Sequence, residues 1–100
     1  MYGLIAKLTA IPSKRDELIA ILEKGTRSMP GCFSYILAKD AVDENILWVT
    51  EIWNSAANHD ESLALPAVKD SIVRGKPLIA GFEKVAVTNP VGGVGFPSAS

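Results

Sequence analysis

Cysteine and histidine are nearly absent from the 100 residues: Cys32 is the only cysteine and His59 the only histidine. A single cysteine excludes a disulfide within the chain, and one of each excludes Cys/His zinc sites and the haem-attachment motifs. No tightly bound transition metal is expected. A Ser-His-Asp arrangement could be assembled only around His59, and no Gly-x-Ser-x-Gly turn is present to offer a serine to it. Charge of one sign is also missing, since ten Lys+Arg against eleven Asp+Glu leave a net charge of −1. With no basic cluster along any predicted face, neither nucleic acid nor anionic lipid is an expected partner. No apolar run approaches the roughly 20 residues of a membrane span. The opening Met1-Tyr2-Gly3-Leu4-Ile5-Ala6-Lys7 has no basic region ahead of its apolar stretch. A soluble, cytoplasmic protein is expected.

What is present is apolar residue in quantity, 48% of the chain. Area scaling gives about 5,500 Å² exposed when folded against about 15,500 Å² unfolded, enough burial for one domain without metal or disulfide support. Residues 2–10 alternate with the period of a strand, Leu4, Ala6 and Leu8 against Ile5, Lys7 and Thr9. Ser13, with Asp16 three residues on, approximates a capping box and predicts a helix from about Lys14, with Leu18, Ile21 and Leu22 on its apolar stripe. Met29-Pro30-Gly31 bars its continuation.

Cys32–Lys39 and Ile46–Trp53 read as two strands joined by the polar segment 40–45 and paired as a hairpin. In the later strand Leu47, Val49 and Trp53 share a face with Glu51, while Ile46, Trp48 and Ile52 share the other with Thr50. Asn54-Ser55 offers a helix cap, a helical stretch runs to about Ala64, and Pro66 restarts it with Val68, Ile72 and Val73 as its stripe. Phe82–Thr88 alternates as a last strand. The order predicts an α+β, ferredoxin-like βαββαβ sandwich over residues 1–89, with a Gly/Pro-rich tail at 90–100. Its antiparallel four-stranded sheet carries helices on one face; the other face, with Trp48 and Ile52, predicts a homodimer packed sheet to sheet.

Chemistry concentrates around the third strand. Period-2 geometry puts Glu51 and Trp53 on one face, and helical geometry lets His59 and Leu63 share a stripe. If that stripe covers that face, Glu51, Trp53, Val49, His59 and Leu63 converge on an apolar pocket holding a stacking surface, a carboxylate and an imidazole. Such a pocket suits a flat aromatic ligand with an acidic hydroxyl. Competing readings stand beside each residue: core packing for Trp53, a surface or capping role for His59, an inter-strand ion pair or a solvated end of the sheet for Glu51. Cys32 reads as a small buried apolar residue. The glycines of Asn89-Pro90-Val91-Gly92-Gly93-Val94-Gly95 have no helix and no Lys-Ser/Thr pair after them, so a phosphate loop is not expected.

The opening strand, Pro30-Gly31-Cys32-Phe33-Ser34-Tyr35 and above all Glu51-Ile52-Trp53-Asn54-Ser55 resemble the antibiotic biosynthesis monooxygenase family of dimeric α+β barrel proteins. The resemblance implies a homodimeric barrel and a quinol- or anthrone-oxidising activity that uses O₂ without metal, flavin or other cofactor. It implies a small aromatic substrate, with Trp53 lining a cavity between sheet and helices. Ser62 and Ala67 stand where many members carry a helix histidine. His59 matches a tyrosine of the anthrone-oxidising relatives and, with Glu51, is the candidate catalytic base; Trp53, Val49 and Leu63 are candidate substrate contacts. Ile72 and Ala6 match the axial histidine and the asparagine of the haem-degrading branch, so haem is not expected. Two other classes remain open: a non-catalytic dimeric ligand-binding or stress-response module, and an isomerase or decarboxylase with Arg74 or Lys76 as oxyanion donor.

Overall fold

The computed structural model describes residues 1–96, and its strands follow the hydrophobic alternation closely. β1 (Tyr2–Ala10), β2 (Cys32–Lys39), β3 (Ile46–Trp53) and β4 (Ile79–Thr88) form one antiparallel sheet in the order β2-β3-β1-β4. The helices are α1 (Arg15–Gly25), α2 (Ala56–Ser62) and α3 (Pro66–Gly75), followed by a 3₁₀ turn at Lys76–Leu78. This is the ferredoxin-like α+β sandwich. No helix among the described residues is long and apolar enough to cross a membrane.

Pleating sorts the strands as their sequence demands. Leu4, Ala6, Leu8 and Ala10 of β1 and Leu47, Val49 and Trp53 of β3 are buried under the helices. Leu18 of α1 is sealed against Ala6, Leu8, Leu47 and Val49, with Ile19 and Leu22 beside it. A second cluster joins Met29, Trp53 and Val68 with Tyr2, Cys32, Tyr35 and Leu65. Gly25 lets α1 and α3 approach, since a Cβ there would lie 2.5 Å from that of Ser71. Burying these side chains at about 25 cal/mol per Å² of apolar surface is the main force holding the layers together.

The opposite face of the sheet is uncovered. Ile5, Trp48 and Ile52 are half-buried there and Ile36 is 58% exposed. Trp48 Nε1 donates to Asp40 Oδ1 at 2.8 Å, and Asp40 Oδ2 accepts from the amides of Val42 and Asp43. One carboxylate thus closes the β2–β3 turn and holds Trp48 against the sheet. These bonds hold the Asp40 carboxyl below the usual range, the Trp48 indole contributing most.

Three sequence expectations need correction. Ser13 does not cap α1: it adopts φ +65° and its hydroxyl donates to the carbonyl of Pro12, while Lys14 occupies the cap position with no side-chain bond. Val73 leaves the α3 stripe at 71% exposure, because the buried face runs through Val68, Ser71 and Gly75, spaced three and four apart. β4 begins at Ile79 rather than Phe82. Its register shifts opposite Ile5/Ala6 and Thr9/Ala10 break the simple alternation. Of the tail, residues 97–100 lie outside the described residues, and Val91 and Val94 are fully solvent-exposed.

Candidate functional site

Between sheet and helices lies a cavity of about 570 Å³, within the usual range for small-molecule sites. Sheet register determines what its floor presents. Glu51 of β3 pairs with Leu4 of β1 and Tyr35 of β2; Val49 pairs with Ala6, which in turn faces Lys84 of β4. All of these line the cavity, together with Trp53 from β3, His59 and Leu63 from the α2 side, and Ile72 from α3. The five residues singled out from sequence, Glu51, Trp53, Val49, His59 and Leu63, are therefore brought together on one cavity.

Glu51 is only 7% exposed and has no ion-pair partner among the described residues. Trp53 Nε1, two residues along the same face, donates to Glu51 Oε1 at 2.9 Å. Among the described residues the second oxygen makes no hydrogen bond and is not sealed in, so it opens to the cavity. Burial pushes the Glu51 carboxyl above the ordinary glutamate range; the Trp53 bond and the nearby His59 pull against that without cancelling it. The result is a basic carboxylate in an apolar shell.

His59 packs its ring edge-on to Trp53, centroids 5.4 Å apart, and at 5.5 Å from Tyr2. Its Nδ1 lies 3.3 Å from Asp60 Oδ1 on the solvent side. The imidazole thus bridges the Trp53 wall and the surface. The start of α2 holds it there: Ser55 Oγ accepts from the amide of Asn58, and the amide of His59 donates to Ser55 O at 3.3 Å. The turn beneath depends on Gly31, at φ +81°, whose carbonyl accepts from the amide of Asn54. A Cβ at Gly31 would lie 2.5 Å from the Asn58 side chain. Gly31→Ala should therefore destabilise the protein by about 2 kcal/mol or more, read as a lower urea midpoint. An unchanged midpoint would show that this turn does not constrain α2.

Tyr35 is the cavity residue that sequence reasoning missed as a site group. Its hydroxyl makes no hydrogen bond among the described residues, and burial beside Glu51 and Cys32 raises its pKa. Its place opposite Glu51 comes from the β2–β3 pairing, which runs in one register from Lys39–Leu47 through Tyr35–Glu51 and is not stated by the alternation of either strand alone. Phe82 and Lys84 were missed for the same reason on β4. Cys32 donates to the Ser34 carbonyl, and burial pushes its thiol pKa up, so it stays protonated. Lys76 lines the cavity, but Arg74 does not: it pairs with Asp70 at 3.4 Å on the outer side of α3. That removes Arg74 as an oxyanion donor.

A second hollow, about 810 Å³, runs along the outer edge of β2 between Ile19 and Leu37. It lacks Glu51, Trp53 and His59 and brings no comparable set of groups together. Among the described residues, no three His, Cys, Asp or Glu side chains are grouped to hold a metal ion. Ala6 and Ile72 line the main cavity with hydrocarbon where the resemblance to haem-degrading proteins would require nitrogen donors. These residues do not fit haem.

A sequence model of the family described as antibiotic biosynthesis monooxygenase matches residues 1–73. The chain belongs to that family. It is 52% identical to a Chloroflexus aurantiacus protein whose crystal structure bears the same family name, with 92% of this chain and 94% of that one covered at a TM-score of 0.89. A Nitrosomonas europaea structure under that name shares the fold at 12% identity, covering 91% and 99% of the two chains, TM-score 0.81. The Synechocystis protein sll1783 is 29% identical over 72 residues, 69% of this chain, which spans only 49% of that longer protein. In this antibiotic biosynthesis monooxygenase homologue, Ser62 of α2 and Ala67 of α3 carry no group that titrates near neutrality. Ser62 Oγ instead donates to the His59 carbonyl at 2.6 Å.

Proposed function

We propose that the protein is a cofactor-independent monooxygenase that oxidises a small phenolic, quinol or anthrone-like aromatic with O₂. The observation that carries this reading is the buried Glu51 carboxylate, with one oxygen bonded to Trp53 and the other open to an aromatic-walled cavity. Glu51 takes the hydroxyl proton of the substrate, leaving an electron-rich anion. That anion reduces O₂: one oxygen atom enters at a ring carbon as the new carbonyl, and the other leaves as water with the two hydrogens lost from substrate. Trp53, fully buried behind the cavity surface, holds the Glu51 carboxylate in place rather than stacking on the substrate, the helices exclude water, and His59 exchanges protons between the site and solvent.

Oxygen uptake by metal-stripped protein with a panel of hydroquinones and anthrones, against a protein-free blank, tests this reading. Uptake above blank is expected. No uptake with any member of the panel would overturn it and favour a non-catalytic ligand-binding module, the reading that the serine and alanine at positions 62 and 67 support.

The active unit under this reading is a homodimer, formed by packing the uncovered apolar sheet faces together. Ile52→Glu should convert it to monomer by sedimentation analysis; a wild-type monomer would overturn the dimer.

A further inference from the structure

We propose that the substrate is an anionic aromatic: a fused-ring hydroxyarene carrying a carboxylate or similar acidic group at the end remote from its reacting hydroxyl. The inference rests on the functional reading of the cavity and names the class of ligand it selects.

Apart from Tyr35 and His59, the ionisable groups lining the cavity are Glu51, Lys76 and Lys84, so its fixed charge is 2 − 1 = +1 even with Glu51 ionised. In a chain of net charge −1 this is a local reversal of sign. Among the described residues neither Lys76 nor Lys84 has a carboxylate partner within 4 Å; Arg15, Lys24 and Lys69 also have none, but none of those three lines the cavity.

Their placement follows from the fold. Lys84 lies opposite Ala6 on the helix-facing side of β4, because one extra residue in β4 resets the register between Ala86 and Lys84. Lys76 comes from the 3₁₀ turn that ends α3. Both are exposed at the mouth, alongside Phe82, Ile72 and Leu63, which are also exposed and apolar. Strand spacing puts the Lys84 backbone two strands and one pleat repeat from that of Glu51, about 12 Å. That interval accommodates a fused two-ring system, hydroxyl toward the carboxylate and acid toward the lysines. The apolar walls between them hold the rings, while the two ends set orientation. A neutral hydroxyarene would leave both ammonium groups without a counter-charge, and an inverted acid would place its anion beside Glu51.

The test compares 2-naphthol with 6-hydroxy-2-naphthoic acid by titration calorimetry, on wild type and the Lys76→Met/Lys84→Met double variant, at low and high salt. The acid should bind wild type about tenfold more tightly at low salt. The preference should shrink with salt and disappear in the double variant; Lys84→Arg should keep it. Equal binding of the two probes to wild type overturns the inference, as does a preference that survives in the double variant. Failure of both probes to bind overturns it together with the cavity reading. Lysine-dependent preference in a protein that takes up no oxygen sustains the ligand class and rejects only the monooxygenase.

Discussion

Glu51→Gln is expected to lower the rate of oxygen uptake with an active substrate by about 10²- to 10⁴-fold, the usual contribution of a general base. Stability should move the other way. The folded state holds the Glu51 proton more tightly than the unfolded chain does, because burial penalises the charged form. Between the ordinary glutamate range and the raised folded value, the folded protein therefore binds more protons, and stability falls as pH rises through that window. Glutamine never ionises, yet its carbonyl still accepts from Trp53 Nε1. The variant should match wild type in acid and become the more stable at neutral pH, as measured by urea unfolding across a pH series. Activity of wild type should climb with pH through the same raised value as the carboxylate forms. A variant that is inactive but also less stable at neutral pH would show that Glu51 holds the fold together rather than serving as the base.

Trp53→Ala should be the most damaging single change, costing about 3–5 kcal/mol. Trp53 has no solvent exposure, anchors the cluster with Met29 and Val68, and donates the only hydrogen bond that the Glu51 carboxylate receives among the described residues. For a domain of this size that corresponds to a fall in Tm of roughly 12 °C or more. Trp53→Phe separates packing from hydrogen bonding. It keeps an aromatic wall but removes the Nε1–H that holds the Glu51 carboxyl down, so its pKa rises further. The pH–rate profile of the phenylalanine variant should therefore shift to higher pH, with a stability loss smaller than that of the alanine variant. An unshifted profile would mean that Glu51 does not control the rate.

The site is legible in the sequence to the extent that it lies on one strand and one helix. Glu51 and Trp53 are two apart on a strand whose alternation is plain, and His59 on α2 and Leu63 at its C-terminal cap are four apart. Local periodicity thus places each pair on its own face. The reading of Glu51 as half of an inter-strand ion pair does not hold: no cation pairs with it among the described residues, and its partner is the indole N–H of Trp53. Ser13 misleads because a serine three residues before an acid is a local signal, and the backbone turned it out at positive φ instead.

Alternation and helix spacing in the sequence by themselves determined the order of elements, the bounds of β2 and β3, and which face of β3 is buried, since period 2 and period 3.6 are properties of local geometry. Only the tertiary structure decided what meets across the cavity. The pairing of β2 with β3 set Tyr35 opposite Glu51, the register shift at Val85 placed Lys84 opposite Ala6 on the helix-facing side, and the bend at Pro66 separated α2 from α3 so that His59 and Ile72 face the same space. A one-residue shift moves a side chain to the other face of a sheet. Such shifts arise where distant strands pair, so the lysines and the tyrosine that complete the site became visible only when the chain closed on itself.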